Sequence, residues 1–219
     1  VLLGLLAVVA VLTLGFVIWA SAAAKPTDAA LRALESDKRV SVVRQDGFIT
    51  FSPAGILPTT GFIFYPGGRV DYRAYAPALR MIAEQGYFVA FVQVDLNLAF
   101  FEINAADDVI LAHPEVAHWA VGGHSLGGVA ASSYAAGNPP AVDGVVFWAS
   151  YPADDSLKGL GIPALSVYGS NDGLSTGDKI EESRALLPTA TTYVLIEGGN
   201  HAQFGAFVLA GPGVPTLGE

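Results

Sequence analysis

The segment Gly123-His124-Ser125-Leu126-Gly127 has the form G-x-S-x-G. A serine hydroxyl is a weak nucleophile until a neighbouring base takes its proton, so the motif gains chemical meaning only if a histidine and an orienting carboxylate reach it. The chain holds four histidines, His113, His118, His124 and His201, and no cysteine. The lack of cysteine excludes disulfides, thiolate metal sites and a cysteine nucleophile. No two histidines stand at a helical ligand spacing, so neither a metal nor any other cofactor is expected.

These side chains need elements to carry them. Short apolar runs read as buried strands at Gly61–Tyr65, Tyr87–Val94, Trp119–Gly122, Gly144–Trp148, Ala164–Tyr168 and Thr192–Ile196, while Val40–Phe51 alternates enough for a partly exposed strand or hairpin. Between them, Tyr72–Gln85, Ala105–Leu111, Gly127–Ala136 and Lys179–Leu187 have helical spacing, and Gly86 is a stop. Near-continuous apolar strands alternating with helices predict an α/β fold with a mostly parallel sheet covered on both faces. Functional groups of such a sheet belong in loops at the carboxyl ends of its strands.

That rule sorts the candidates. Ser125 follows a strand and opens a small-residue helix. A sharp strand-to-helix turn there explains Gly123 and Gly127, because side chains two before and two after the serine would collide. The turn also aims the Leu126 N–H at the reacting centre. His113 and His118 precede a strand, at the wrong rim. His124 adjoins the serine but its side chain diverges, so it reads as a supporting or packing residue. His201, in Gly198-Gly199-Asn200-His201 after the last strand, is the candidate base. Asp172, shortly after the Ala164–Tyr168 strand, is the candidate orienting acid, with Asp154 and Asp155 as rivals. Tyr65-Pro66-Gly67-Gly68 follows the first strand, and its Gly68 N–H would join that of Leu126 in an oxyanion hole.

The segments LNLAFF (96–101), GGHSLGGVAA (122–131), WASYPADD (148–155), YGSNDG (168–173) and EGGNHAQFG (197–205) resemble the alpha/beta hydrolase superfamily. They are most similar to its compact dienelactone-hydrolase-like group, and to a bacterial family of small, often membrane-anchored hydrolases, the alpha/beta hydrolase family 5 type. The resemblance spans Gly61 to Phe204 and implies a catalytic domain over residues 25–219. Dienelactone hydrolases use a cysteine nucleophile, so their activity does not carry over. The tail after Phe204 is short and rich in Gly and Pro, against the closing helix that the fold would supply.

Residues 1–24 carry no charge. As a helix they would span roughly 36 Å, enough for a hydrocarbon core of about 30 Å, and they read as a transmembrane anchor or signal segment. Ala20-Ser21-Ala22 and Ala22-Ala23-Ala24 have the small residues a signal peptidase needs, while the run is long for a signal core. The expectation is a catalytic domain outside the cytoplasmic membrane, anchored or released. The net charge of −9 makes nucleic acid a poor partner.

Together these features predict hydrolysis of small-molecule carboxylic esters through Ser125, His201 and Asp172. Only 15 residues, Ala149 to Pro163, separate two strands where a helical lid would otherwise fit, so the site should be open to short or accessible acyl groups. Phe101, Trp148, Tyr151 and Phe204, with Phe100, flank the expected rim as acyl-pocket candidates. A membrane-surface lipase, a thioesterase, an acyltransferase and an inactive binding module are the alternatives. Oligomeric state is not encoded in any feature of the chain.

Overall fold

The computed structural model describes residues 2–208. Helix α1 (Leu2–Ser21) leads to a two-residue strand β1 (Lys25–Pro26) and a short helix α2 (Asp28–Arg32). The hairpin β2 (Val40–Gln45) and β3 (Phe48–Pro53) turns at Gly47, whose φ of 83° suits glycine. Then come β4 (Thr60–Tyr65), a 3₁₀ turn at Tyr72–Tyr75, α3 (Ala76–Ala83) and β5 (Phe88–Val92). They are followed by α4 (Ala105–Ala112), β6 (His118–His124), α5 (Leu126–Gly137), β7 (Gly144–Trp148) and β8 (Ala164–Gly169). The chain continues through α6 (Gly177–Ser183), β9 (Thr191–Ile196) and β10 (Phe207–Val208).

Eight strands form one sheet in the order β2-β3-β5-β4-β6-β7-β8-β9. The β2–β3 and β3–β5 pairs are antiparallel and the rest parallel. The sheet is mostly parallel, as the alternation predicts, and its architecture is the α/β-hydrolase one that the resemblance implies. The segment at 40–51 resolves as a hairpin, and the long helix expected at 72–85 begins with a 3₁₀ turn. Residues 149–163 form turns without a helix. Of the tail, Phe207–Val208 pairs antiparallel with Lys25–Pro26, and any closing helix would lie outside the described residues.

Side-chain alternation splits the core into two layers. Ile63 and Tyr65 of β4 join Val121, Val145 and Phe147 against α4 and α5. Phe62 and Phe64, one residue out of phase, join Ile49, Phe51, Val89 and Phe91 against Leu79 and Ala83 of α3. Helix α5 presents buried Gly127, Gly128, Ala130 and Ala131, small residues that let its backbone lie close to the sheet.

The chain winds leftward from β4 to β5 and rightward from β6 to β9, so the order reverses between neighbours β4 and β6. Pairing of Tyr65 with Gly123 aligns the carboxyl ends of those strands, and pairing of Gly169 with Ile196 does the same for β8 and β9. A crevice at such a switch point is where open α/β sheets place ligands.

Phe91 is fully buried, with its ring 5.0 Å from Phe51 and 5.9 Å from Tyr72. Phe91→Ala should cost about 3–5 kcal/mol, from lost burial and the cavity it leaves. Urea unfolding of the full chain in detergent micelles measures this, and a loss below about 1 kcal/mol would mean that the second layer is not packed as described.

Candidate active site

Ser125 sits between the end of β6 and the start of α5 with φ 52° and ψ −121°. A non-glycine residue there is strained, by about 1–3 kcal/mol, and persists only where its surroundings fix it. They do so here. Ser125 N–H donates to the Trp148 carbonyl at 3.0 Å, and the Ser125 carbonyl accepts from Ser150 Oγ at 2.6 Å and Gly128 N–H at 3.0 Å. A Cβ at Gly123 would collide with Gly127, and one at Gly127 with the backbone of Tyr65 and Pro66. The glycines therefore let three backbone segments converge.

The candidate acid and base follow β8 and β9, the last two strands of the eight-stranded sheet. Asp172 follows β8 and is buried. Its Oδ1 accepts from Leu174 and Ser175 N–H, both at 2.8 Å, while Oδ2 lies 2.8 Å from Nδ1 of His201. A carboxylate only accepts, so Nδ1 carries the proton and Nε2 keeps its lone pair. His201 opens a 3₁₀ turn whose cap is reciprocal: Asn200 Oδ1 accepts from Ala202 and Gln203 N–H, and Gln203 Oε1 accepts from Asn200 N–H. Asp154 and Asp155 are exposed, and Asp154 is engaged with Ser156 N–H.

Ser125 and His201 line one cleft of about 440 Å³ with Gly67, Gly68, Arg69 and Leu174. Among the described residues Ser125 Oγ makes no hydrogen bond; such bonds often tighten only when substrate binds. Gly68 and Leu126 are adjacent, since a Cβ at Gly68 would meet Leu126 Cδ2 at 3.3 Å. Neither of their N–H groups donates to another described residue. Two unengaged donors thus flank the serine, the requirement for stabilising an oxyanion.

His124 does more than pack. Its ring is buried, with Nδ1 2.9 Å from the Tyr75 hydroxyl and Nε2 3.0 Å from the His201 carbonyl. The carbonyl can only accept, so Nε2 carries the proton and Nδ1 accepts from Tyr75. The Tyr75 oxygen in turn accepts from Gly67 N–H at 3.0 Å. A buried chain of hydrogen bonds thereby links the backbone before Gly68 to the backbone of the base. Gly67 must lack a side chain, because a Cβ would stand 2.6 Å from Nδ1 of His124. Burial holds the His124 pKa down at about 3 and keeps it neutral. Tyr75 was not legible as a site residue, since it lies 49 positions from His124.

The remaining candidates lie elsewhere. Trp148 packs on Phe64 at 4.8 Å, and Phe204 stacks on His124 at 5.6 Å. Phe101 is exposed beside Phe16 of α1, and Tyr151 is partly buried. None of the four lines the cleft that holds Ser125. His113 stacks on Phe88 at 4.4 Å, and His118 is exposed near Asp143, both away from the serine. Among the described residues no three metal-ligating side chains come together.

A sequence model of the alpha/beta hydrolase family matches residues 61–210. No curated protein matches the chain significantly. Among solved structures, the chain is similar to MGS-MChE2, an alpha/beta hydrolase enzyme from the metagenome of sediments from the Mar Chica lagoon, Morocco. The two share 15% identity at a TM-score of 0.60, over 75% of this chain and 91% of that one. A predicted CIB-like hydrolase from Thermoplasma acidophilum has 17% identity and a TM-score of 0.59, over 74% and 87%. The esterase domain of a Rhodothermus marinus protein has 16% identity and a TM-score of 0.60, over 74% and 89%. At these identities the likeness is one of fold.

Because the unfolded chain protonates His124 near pH 6.5 and the folded one only near 3, the folded state loses stability as pH falls through that window. The slope from this group approaches about 1.4 kcal/mol per pH unit, and its contribution is fully present above pH 6.5. His124→Gln should be less stable at pH 7.5 yet lose less on going to pH 4.5, as read by urea unfolding at the two pH values. Parallel losses in the two proteins would show that His124 is not held neutral.

Proposed function

We propose that this chain, which belongs to the alpha/beta hydrolase family, is a serine hydrolase that cleaves carboxylic esters. The observation that carries the reading is a strained serine and an acid-oriented histidine in one cleft, beside two unengaged N–H donors.

Nε2 of His201 takes the Ser125 proton as Oγ attacks the ester carbonyl. The carbonyl oxygen becomes an oxyanion that accepts from Gly68 and Leu126 N–H, at the amino end of α5 where negative charge is favoured. Asp172 keeps the imidazole in the productive tautomer and stabilises the imidazolium. Collapse of the intermediate breaks the bond to the alcohol oxygen, which leaves with the His201 proton. Water then attacks the acyl-enzyme, passing its proton through His201 to Ser125 and releasing the acid. We place α1, apolar over 20 residues with Ala20 its one buried position, in a membrane as an anchor.

Hydrolysis of p-nitrophenyl butyrate by the full chain tests the assignment. Ser125→Ala should lower kcat by at least about 10⁴-fold, and Asp172→Asn, which leaves the wrong tautomer, kcat/KM by about 10³–10⁴-fold. A Ser125→Ala protein that keeps a tenth of the activity would overturn the serine as nucleophile.

A further inference from the structure

The apolar helix is not joined to the domain by a loose linker. Arg69, the residue after Gly68, donates from Nε to the Trp19 carbonyl at 3.0 Å and from Nη2 to the Ala22 carbonyl at 3.1 Å. Its guanidinium also lies over the Trp19 ring, 4.6 Å from the centroid. Asn97 Nδ2 donates to the Ala20 carbonyl at 3.4 Å. These donors satisfy carbonyls that a helix end leaves without partners, and Arg69 adds a cation where the helix dipole favours one. Beyond the helix, Ala24 N–H donates to the Arg69 carbonyl at 2.8 Å, and Asp71 N–H donates to the Ala24 carbonyl at 3.0 Å. Ala20 and Ala24 are buried. Arg69 itself holds a φ of 58°, a strained value for a side-chain-bearing residue, fixed by its N–H donating to the Asn97 carbonyl at 2.7 Å.

The same junction is a wall of the catalytic cleft, which Ala22 and Ala24 line together with Arg69, Ser125 and His201. Exposed apolar side chains gather nearby. Phe101 packs its ring 6.4 Å from Phe16 of α1, Phe100 adjoins it, and Leu174 stands exposed on the cleft. Phe100 and Phe101 are each 47% exposed, unusual for phenylalanine unless something apolar covers it. With Phe16 and Trp19 they form an apolar aromatic group at the domain end of an apolar helix, and Trp19 is of the type that settles at the headgroup level of a bilayer.

We infer that helix α1 sets the mouth of the Ser125 cleft at the membrane surface, and that the substrate is an amphiphilic ester drawn from the bilayer with its acyl chain passing beside α1. The inference rests on the serine-hydrolase reading above. It makes α1 part of the site and not only a tether. Cutting the chain after Ala22 or Ala24 would remove a wall of the cleft and release Arg69 beside the oxyanion donor Gly68. The acidic domain, at −9 overall, suits a zwitterionic surface better than an anionic one.

The full chain in phosphatidylcholine nanodiscs is assayed with two esters of one leaving group, p-nitrophenyl palmitate dissolved in the discs and p-nitrophenyl butyrate in the water. The expected kcat/KM for palmitate is at least ten-fold the butyrate value, and Phe101→Asp, which puts a charge at the interface, lowers palmitate turnover at least ten-fold. Butyrate turnover with equal or weaker palmitate turnover would overturn the membrane-substrate inference alone. Turnover of neither ester would overturn the serine-hydrolase reading with it. Tryptophan quenching by brominated phosphatidylcholine gives a readout independent of any variant. Bromines near the headgroup should quench more than bromines at the chain ends, and the reverse order, or no quenching, would contradict the placement of Trp19 and the cleft mouth at the surface.

Discussion

The backbone at Ser125, held at φ 52° and ψ −121°, is the constraint on which the other parts of the site depend. An extended residue there would carry β6 onward without a turn, and a right-handed one would turn the chain differently and aim α5 elsewhere. With the turn in place, Ser125 lines the crevice and Leu126 begins α5 directly beside it. The strain is carried by the convergence of β4, β6 and β7, whose backbones meet at Gly123, Gly127 and Trp148. The glycines matter as space for other backbones, since neither adopts a positive φ.

A second layer of constraint keeps the three chemical groups in one frame. Asp172 is fixed by two backbone donors before it meets His201, and the Asn200 cap fixes the base from the other side. The buried Tyr75–His124 link then ties the loop after β4 to the His201 backbone. Because every member is satisfied, the network rigidifies the site instead of costing stability, and this requires a neutral His124. Arg69 extends the connection outward, so the oxyanion loop is joined on one side to the base and on the other to the apolar helix.

Much of this was legible in the sequence. The parallel strands are uninterrupted apolar runs, and the loop rule placed Ser125, Asp172 and His201 at one sheet edge because it depends only on chain direction. Asp172, and not Asp154 or Asp155, stands against His201 because β8 lies between β7 and β9, next to the strand that leads to His201. The aromatic acyl-pocket residues were not legible. Trp148 ends a strand in which Phe147 points to the α5 side, so alternation turns the indole toward Phe64 and the α3 layer. The couplings Tyr75–His124 and Arg69–Trp19 join residues 49 and 50 positions apart, and no local periodicity encodes such contacts. The pairing of Phe207–Val208 with Lys25–Pro26 was not legible either, since its partners lie at opposite ends of the domain.

The central claim is that Ser125 is activated by its surroundings. Its most direct measurement is intact and peptide mass spectrometry of the full chain after a fluorophosphonate, a reagent that labels serines made nucleophilic by a base. The account predicts a single adduct located on Ser125 and a strongly slowed reaction when Asp172 is replaced by Asn. A folded protein that stays unlabelled, or one labelled at another serine, would contradict it.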